Sequence, residues 1–273
     1  MKKKLLGILI ALGISIPAYA SMAVAPTKVE IDANKIRNNY ATTAIEIKGD
    51  KNKPMRFRVY PGYFTIDDNS KMVISEDKND PANISNKIRF VPSEFTVPPG
   101  KSQKLRVNIA NIKSLQDGES RAILYIEDVE PKEYNIPNSY GIGAQIVLKT
   151  RVGVPIYVDK GKFTKIAEVE DFKIVKEKDG LYTQMKVKSL GNSRIRYNGN
   201  FQIVNGRKLV CEYSLDSDVV GVGNTRIVKQ RIDTSKIKEA GEYTLKMVFY
   251  YFDEKGARKN IKKDAIINIT SNI

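Results

Sequence analysis

The strongest constraint on this chain is a period of two. Thr43-Ala44-Ile45-Glu46-Ile47-Lys48 alternates between apolar and polar residues, as do Met55-Arg56-Phe57-Arg58-Val59-Tyr60, Lys104-Leu105-Arg106-Val107-Asn108-Ile109 and Arg121-Ala122-Ile123-Leu124-Tyr125-Ile126. Successive side chains of a β-strand point to opposite faces, so a strand with one face in a core and one in solvent has to alternate in this way. Almost nothing in the chain repeats at the 3.6-residue period of a helix. Turn chemistry bounds the runs at Gly49-Asp50, Pro61-Gly62, Pro98-Pro99-Gly100 and Asp117-Gly118. Short strands with turns every ten or so residues predict an all-β sandwich.

The pattern restarts after Tyr157-Val158-Asp159-Lys160-Gly161-Lys162. Strand-like runs follow at Phe172 to Val175, Tyr182 to Val187, Ile195 to Val204, Lys208 to Tyr213, Arg226 to Ile232, Tyr243 to Phe252 and Ala265 to Ile269. A chain of 273 residues, 41% of them apolar, can build two cores of ordinary domain size. The expected boundary therefore lies near Asp159 to Lys162, dividing the chain into domains at 21–158 and 159–273. The connection is short and holds one glycine, which predicts a fixed angle between the domains.

The first residues set the compartment. Lys2, Lys3 and Lys4 are followed by an apolar run from Leu5 to Ile16 and then by Ala18-Tyr19-Ala20. That is the layout of a cleavable secretory signal over residues 1–20, with Ser21 as the mature start. The run falls short of the ~20 residues a spanning helix needs. No later segment is apolar enough to cross, so no membrane insertion of the mature chain is expected. The formal net charge is +15, but the lysines are spread along the chain among 31 acidic residues. They form no arginine-rich run and no basic helix, so nucleic acid is not an expected partner.

Chemistry is narrowed by what the chain lacks. It has no histidine, which removes Ser-His-Asp and Cys-His catalysis, imidazole zinc sites and histidine pH switching. The one cysteine, Cys211, lies in the strand-like run Lys208 to Tyr213 and reads as a small buried apolar residue. Asp67-Asp68-Asn69 has the look of calcium chemistry without the rest of a loop, and reads as a turn. No acidic pair sits at a strand end beside a glycine-rich or aromatic cleft. The chain reads as a binding protein and not an enzyme, with no cofactor and no metal.

One stretch departs from the short-strand pattern. From Ile142 to Val158, seventeen residues run without a strong turn signal, where a typical strand has five or six. Such a strand either spans a sheet and feeds the next domain or carries surplus edge for a partner. Pro155 cannot donate to a ladder, so its end of the strand is expected at an edge or a bend.

Ala25-Pro26-Thr27-Lys28-Val29, Phe90 to Val107, Asp117 to Pro131, Ile142 to Val158, Leu190 to Arg196 and Gly241 to Leu245 follow one another in an order and spacing that together resemble the PapD-like family of periplasmic pilus-assembly chaperones. The stretch that holds Lys28 resembles that family's first strand. The passage Phe90-Val91-Pro92 through Phe95-Thr96-Val97-Pro98-Pro99-Gly100 to Lys104-Leu105-Arg106-Val107 is the most specific, and Asp117 to Pro131 resembles the next strand. The run Ile142 to Val158 is similar to the last strand of the family's first domain. Leu190-Gly191-Asn192-Ser193-Arg194-Ile195-Arg196 and Gly241-Glu242-Tyr243-Thr244-Leu245 look like its second-domain turns. The resemblance implies two immunoglobulin-like β-sandwich domains in an L or boomerang arrangement with a cleft between them. It implies a chaperone of secreted pilus or fimbrial subunits that lends its long strand to an incomplete client sandwich, with an outer-membrane usher as a further partner. The family also grips the client's terminal carboxylate with two cations. Lys28 matches the first; the second falls on Gly153, and Arg151, two residues away on the same face, is the candidate substitute.

A lent strand has to pair its backbone with the client's open edge and place alternate apolar side chains in the client's groove. Ile142, Ala144, Ile146 and Leu148 meet that requirement on one face, while Gly143, Gln145, Val147 and Lys149 form a more polar one. Burying the larger side chains contributes ~1.5–3 kcal/mol each. The alternative is an adhesion or envelope scaffold protein of the same two-sandwich build that lends no strand.

Overall fold

The computed structural model describes residues 22–67, 69, 71–130, 132–136 and 144–269; for 132–136 and 144–146 it describes the backbone path alone. The expected secretory leader and Ile142 lie outside these residues.

The first sandwich is built from β1 (Ala23–Ala25), β2 (Val29–Asp32), β3 (Tyr40–Lys48), β4 (Met55–Ile66), β5 (Met72–Ser75), β6 (Ile88–Val91), β7 (Glu94–Val97), β8 (Ser102–Ala110), β9 (Gly118–Asp128), β10 (Lys132–Ile136), β11 (Ala144–Leu148) and β12 (Arg151–Lys160). One sheet runs β1-β3-β8-β6; the other runs β2-β12-β9-β4-β5, with β7 also on β4. The alternation read from the sequence is what joins them. Ile45, Ile47, Phe57, Leu105, Leu124, Ile126 and Ile156 point inward and are fully enclosed; their neighbours on β3, β4 and β8 face out, while those on β9 and β12, Ile123, Tyr125 and Tyr157, are buried on the sheet's opposite face. The turn at Pro98-Pro99-Gly100 closes as expected, with the Lys101 N–H donating to the Pro98 carbonyl at 3.1 Å.

Two prolines depart from their expected places. Pro61-Gly62 was read as a turn, yet β4 runs through it to Ile66. On the side away from β9, β4 pairs with β7 over Met55–Arg58 and with β5 over Tyr63–Ile66. Pro61 falls in the gap between those two pairings, where a missing N–H costs little. Pro155 was expected at an edge or bend, but β12 is an interior strand between β2 and β9. It is tolerated because pairing with β2 begins one residue later, at Ile156 opposite Val29.

The second sandwich holds β13 (Ala167–Glu177), β14 (Gly180–Ser189), β15 (Ile195–Asn205), β16 (Lys208–Val220), β17 (Thr225–Arg231), β18 (Gly241–Phe252) and β19 (Arg258–Ile269). Its sheets run β13-β14-β17 and β16-β15-β18-β19 around a separate core centred on Tyr197, Phe201 and Phe249. Cys211 is buried in that core as a free thiol, pushed up in pKa by its burial.

The chain crosses between the cores at Gly161. A Cβ there would lie 1.8 Å from the Asp117 Oδ1, and the residue sits at φ +65°, so glycine is required on both counts. Asn34 clamps the crossing, accepting from the Gly161 N–H and donating to its carbonyl, each at 2.9 Å.

Candidate binding site: an outlying hairpin and the junction between the sandwiches

Strands β9 and β12 pair antiparallel from Gly118–Lys160 to Glu127–Arg151, and β10 and β11 pair antiparallel from Lys132–Leu148 to Ile136–Ala144. The two ladders are successive parts of one hairpin. Between them, residues 128–131 on one side oppose only Lys149 and Thr150 on the other. Two surplus residues on one strand break a ladder and bend it, as a bulge does. The Asp128 N–H donates to the Thr150 carbonyl at 2.9 Å at the break. The run Ile142 to Val158, expected as one strand, is therefore two, interrupted at Lys149-Thr150 by the longer opposite segment.

Beyond the break, β10 and β11 form a two-stranded sheet, and among the described residues no third strand joins it. Of the expected donor positions, Ile142 lies outside the described residues. The backbones of Ala144 and Ile146 stand opposite Ile136 and Tyr134. Leu148 is 53% exposed and Val147 is 55% exposed, so apolar side chains lie open on both faces at the hairpin's base.

Next to that base, on the face of β4, β9 and β12 that points away from the first core, lies an aromatic platform. Tyr125 is flanked by Tyr60 at 5.3 Å between ring centroids, and the Arg151 guanidinium lies 4.4 Å over its ring. Arg151 donates to the Tyr60 hydroxyl at 3.2 Å, that hydroxyl donates to Glu127 at 2.7 Å, and Lys149 pairs with Glu127 at 2.6 Å. Two glycines admit the platform. A Cβ on Gly62 would lie 2.6 Å from Tyr125, and one on Gly153 would lie 2.5 Å from Ile123. Any side chain at position 153 would have to displace the Ile123 side chain. Arg151 shares that face, but its guanidinium is engaged by the two tyrosines.

At the other end of the same face the sandwiches meet. Arg194, the residue just before β15, is buried against Glu119 at 3.0 Å, Asp159 at 3.4 Å and Glu30 at 3.1 Å, with its guanidinium 4.0 Å over the Tyr157 ring. Its backbone N–H also donates to Glu119, and Ser193 donates to Asp159 at 2.8 Å. Burial alone would lower the Arg194 pKa, but the three carboxylates outweigh it and raise it. Arg196 lies on the same side of β15 and donates to Glu30 at 3.0 Å and 3.3 Å. Burial would raise the Glu30 carboxyl, yet the two guanidiniums hold it at about 2.

Lys28 joins this group, 3.6 Å from Glu30. Its pKa is lowered by burial and by Arg196 and Arg194, with Glu30 opposing. It precedes the β2–β12 pairing by one residue, so four residues of β12, about 13 Å, separate its level from Arg151. The structure does not bring the two expected anchor cations together. It places Lys28 instead beside Arg194 and Arg196, which sequence reasoning registered only as part of a turn. The Arg-x-Arg spacing at a strand start was the available signal, since it sets both cations on one face.

Asp67, read as a turn residue, accepts from the backbone N–H groups of Asn69 at 2.9 Å and Lys71 at 2.7 Å. Among the described residues, no group of His, Cys, Asp and Glu side chains is placed to hold a metal. No helix among them is long and apolar enough to cross a membrane.

Fold and site together define an all-β protein of two sandwiches, locked by a buried ionic junction and extended by an open hairpin. No family model and no curated protein matches the sequence. Among solved structures, the chain is similar to the YadV chaperone at 9% identity and a TM-score of 0.47, over 89% of this chain and 99% of that one. It is similar to a chain of a chaperone–tip adhesin complex of CFA/I fimbriae at 9% identity and a TM-score of 0.46, over 92% and 100%. It is also similar to a chain of the CsuC–CsuE chaperone–tip adhesion subunit pre-assembly complex from Acinetobacter baumannii, at 14% identity and a TM-score of 0.43, over 90% and 98%.

Proposed function

We propose that this protein is a periplasmic chaperone that stabilises secreted pilus or fimbrial subunits by lending them a β-strand, and that it is a binding protein and not an enzyme. The observation that carries the reading is the β10–β11 hairpin. One edge of β11 is unpaired among the described residues, and Val147 and Leu148 stand open to solvent beside it. Exposed strand edges with apolar side chains are normally blunted, because they template pairing with another chain. A client sandwich lacking one strand offers the complementary backbone edge and an apolar groove.

In this reading Ile142, Ala144, Ile146 and Leu148 face the client, residues 21–158 form the client-binding domain and residues 159–273 brace it. The leader at 1–20 directs the chain to the periplasm, and an outer-membrane usher receives the loaded complex. Lys28 and Arg151 are the proposed anchors for the client's terminal carboxylate. Lys28 is the stronger of the two, because its ammonium holds Glu30 only at 3.6 Å while the Arg151 guanidinium is taken up by Tyr60 and Tyr125.

Co-expression in a periplasm with a secreted subunit lacking its own last strand tests the proposal. Wild-type protein is expected to recover the subunit in soluble form, and Ile146→Asp and Leu148→Asp are expected to abolish recovery while the free protein stays folded. Equal recovery with wild type and both variants would remove strand lending and leave the scaffold reading.

A further inference from the structure

We propose that β5 is a self-association edge, through which two copies of this chain pair antiparallel about a two-fold axis at Val73. The proposal does not rest on client binding. Strand β5 closes the β2-β12-β9-β4-β5 sheet and pairs only with β4 among the described residues. Its residues Met72, Val73 and Ile74 are 45%, 44% and 52% exposed, three apolar side chains in a row on a bare edge. Such an edge is a template for another strand.

The register fixes which backbone groups it offers. The Asp67 N–H donates to the Lys71 carbonyl at 2.9 Å, so Lys71 turns its polar groups toward β4. The β4–β5 ladder continues without a shift, pairing Thr65 with Val73 and Tyr63 with Ser75. By the alternation of antiparallel ladders, Val73 and Ser75 also face β4, while Met72 and Ile74 direct theirs to the free side. The edge is held in this form. Asp67 caps the turn, and Asn224 of the second sandwich donates to the Ile66 carbonyl at 3.0 Å and to the Asp67 carbonyl.

A two-fold axis at Val73 sets Met72 opposite the second copy's Ile74, and Ile74 opposite its Met72. Each outward N–H and C=O then meets an outward partner, and apolar side chains meet apolar ones. Val73 meets its own copy on the other face. Shifting the axis to Ile74 would oppose Met72 with Glu76 instead. Symmetry, hydrogen bonding and apolar contact agree on Val73, and the two sheets become one.

Analytical ultracentrifugation of the full mature chain across a micromolar concentration range, combined with three variants, tests this. The wild type is expected to show a concentration-dependent dimer. Ile74→Pro deletes an N–H that points away from β4, so it spares the internal ladder and is expected to weaken dimerisation at least about tenfold. The central pair would bring Val73 Cα atoms to about 4.5 Å, within disulfide range, so Val73→Cys is expected to cross-link under an added oxidant. Met72→Cys, offset from its own copy, is expected not to. Unchanged melting of each variant confirms that it is folded. A wild type that stays monomeric throughout would overturn the proposal. So would a dimer indifferent to folded Ile74→Pro, or equal cross-linking at positions 72 and 73.

Discussion

The junction around Arg194 and the hairpin beyond Arg151 occupy opposite ends of one sheet face and follow opposite physical rules. At the junction, charge is buried and almost every charge is answered: Arg194 meets Glu119, Asp159 and Glu30, and Arg196 meets Glu30. At the hairpin, apolar side chains and a strand edge face solvent. A closed polar knot fixes the angle between two rigid bodies, because any slip leaves a charge unpaired in a low-dielectric site. An open apolar edge does nothing for the free protein and gains only when another chain covers it. The contrast separates what holds this molecule together from what it offers to others.

The comparison breaks most visibly at Arg194. Arg194→Leu should destabilise by ~3 kcal/mol, since it removes the central partner of the buried Glu119 and Asp159 carboxylates and leaves them Arg121 at 3.2 Å and Lys165 at 3.5 Å. Chemical denaturation should also resolve into separate transitions for the two sandwiches. A loss below 1 kcal/mol would mean the knot is dispensable. Gly153→Ala should cost less, ~1–3 kcal/mol, because the added Cβ drives into Ile123 in a filled layer. Thermal melting checks it, and an unchanged midpoint would mean the platform yields freely.

Acid sharpens the comparison further. Glu30 is held at about 2 against an ordinary 4.5. A depressed carboxyl contributes stability that is complete above its unfolded pKa and is lost as pH falls toward its folded one. The wild type should therefore lose more stability than Glu30→Gln between pH 4.5 and 2, and parallel pH profiles would contradict this. The smallest expected effect is that of Leu148→Asp on the free protein, within ~0.5 kcal/mol, as for a surface position. A larger loss would mean that Leu148 packs its own domain.

Most of the strand layout was legible, because alternation is enforced wherever one face of a strand is buried. Ile45 and Ile47, Leu105 and Val107, Leu124 and Ile126 all point inward as their spacing requires. What failed to show was set by partners distant in sequence. Pro61-Gly62 has the chemistry of a turn, but only the gap between β5 and β7 explains why the strand continues. The break at Lys149-Thr150 is caused by surplus residues on the opposite strand, invisible within Ile142 to Val158 itself. The junction gathers residues 30, 119, 159 and 194, four separate stretches with no shared local signal. Lys28 could be singled out by likeness to a first strand, but not its proximity to Arg196.

Amide hydrogen exchange, residue by residue, across β11 tests the central claim most directly, comparing the free protein with its complex with a subunit that lacks its last strand. The account predicts that amides of Ala144–Leu148 on the edge away from β10 exchange rapidly in the free chain and become protected when the subunit is bound. Protection already present in the free protein, or a bound complex in which those amides still exchange rapidly, would contradict it.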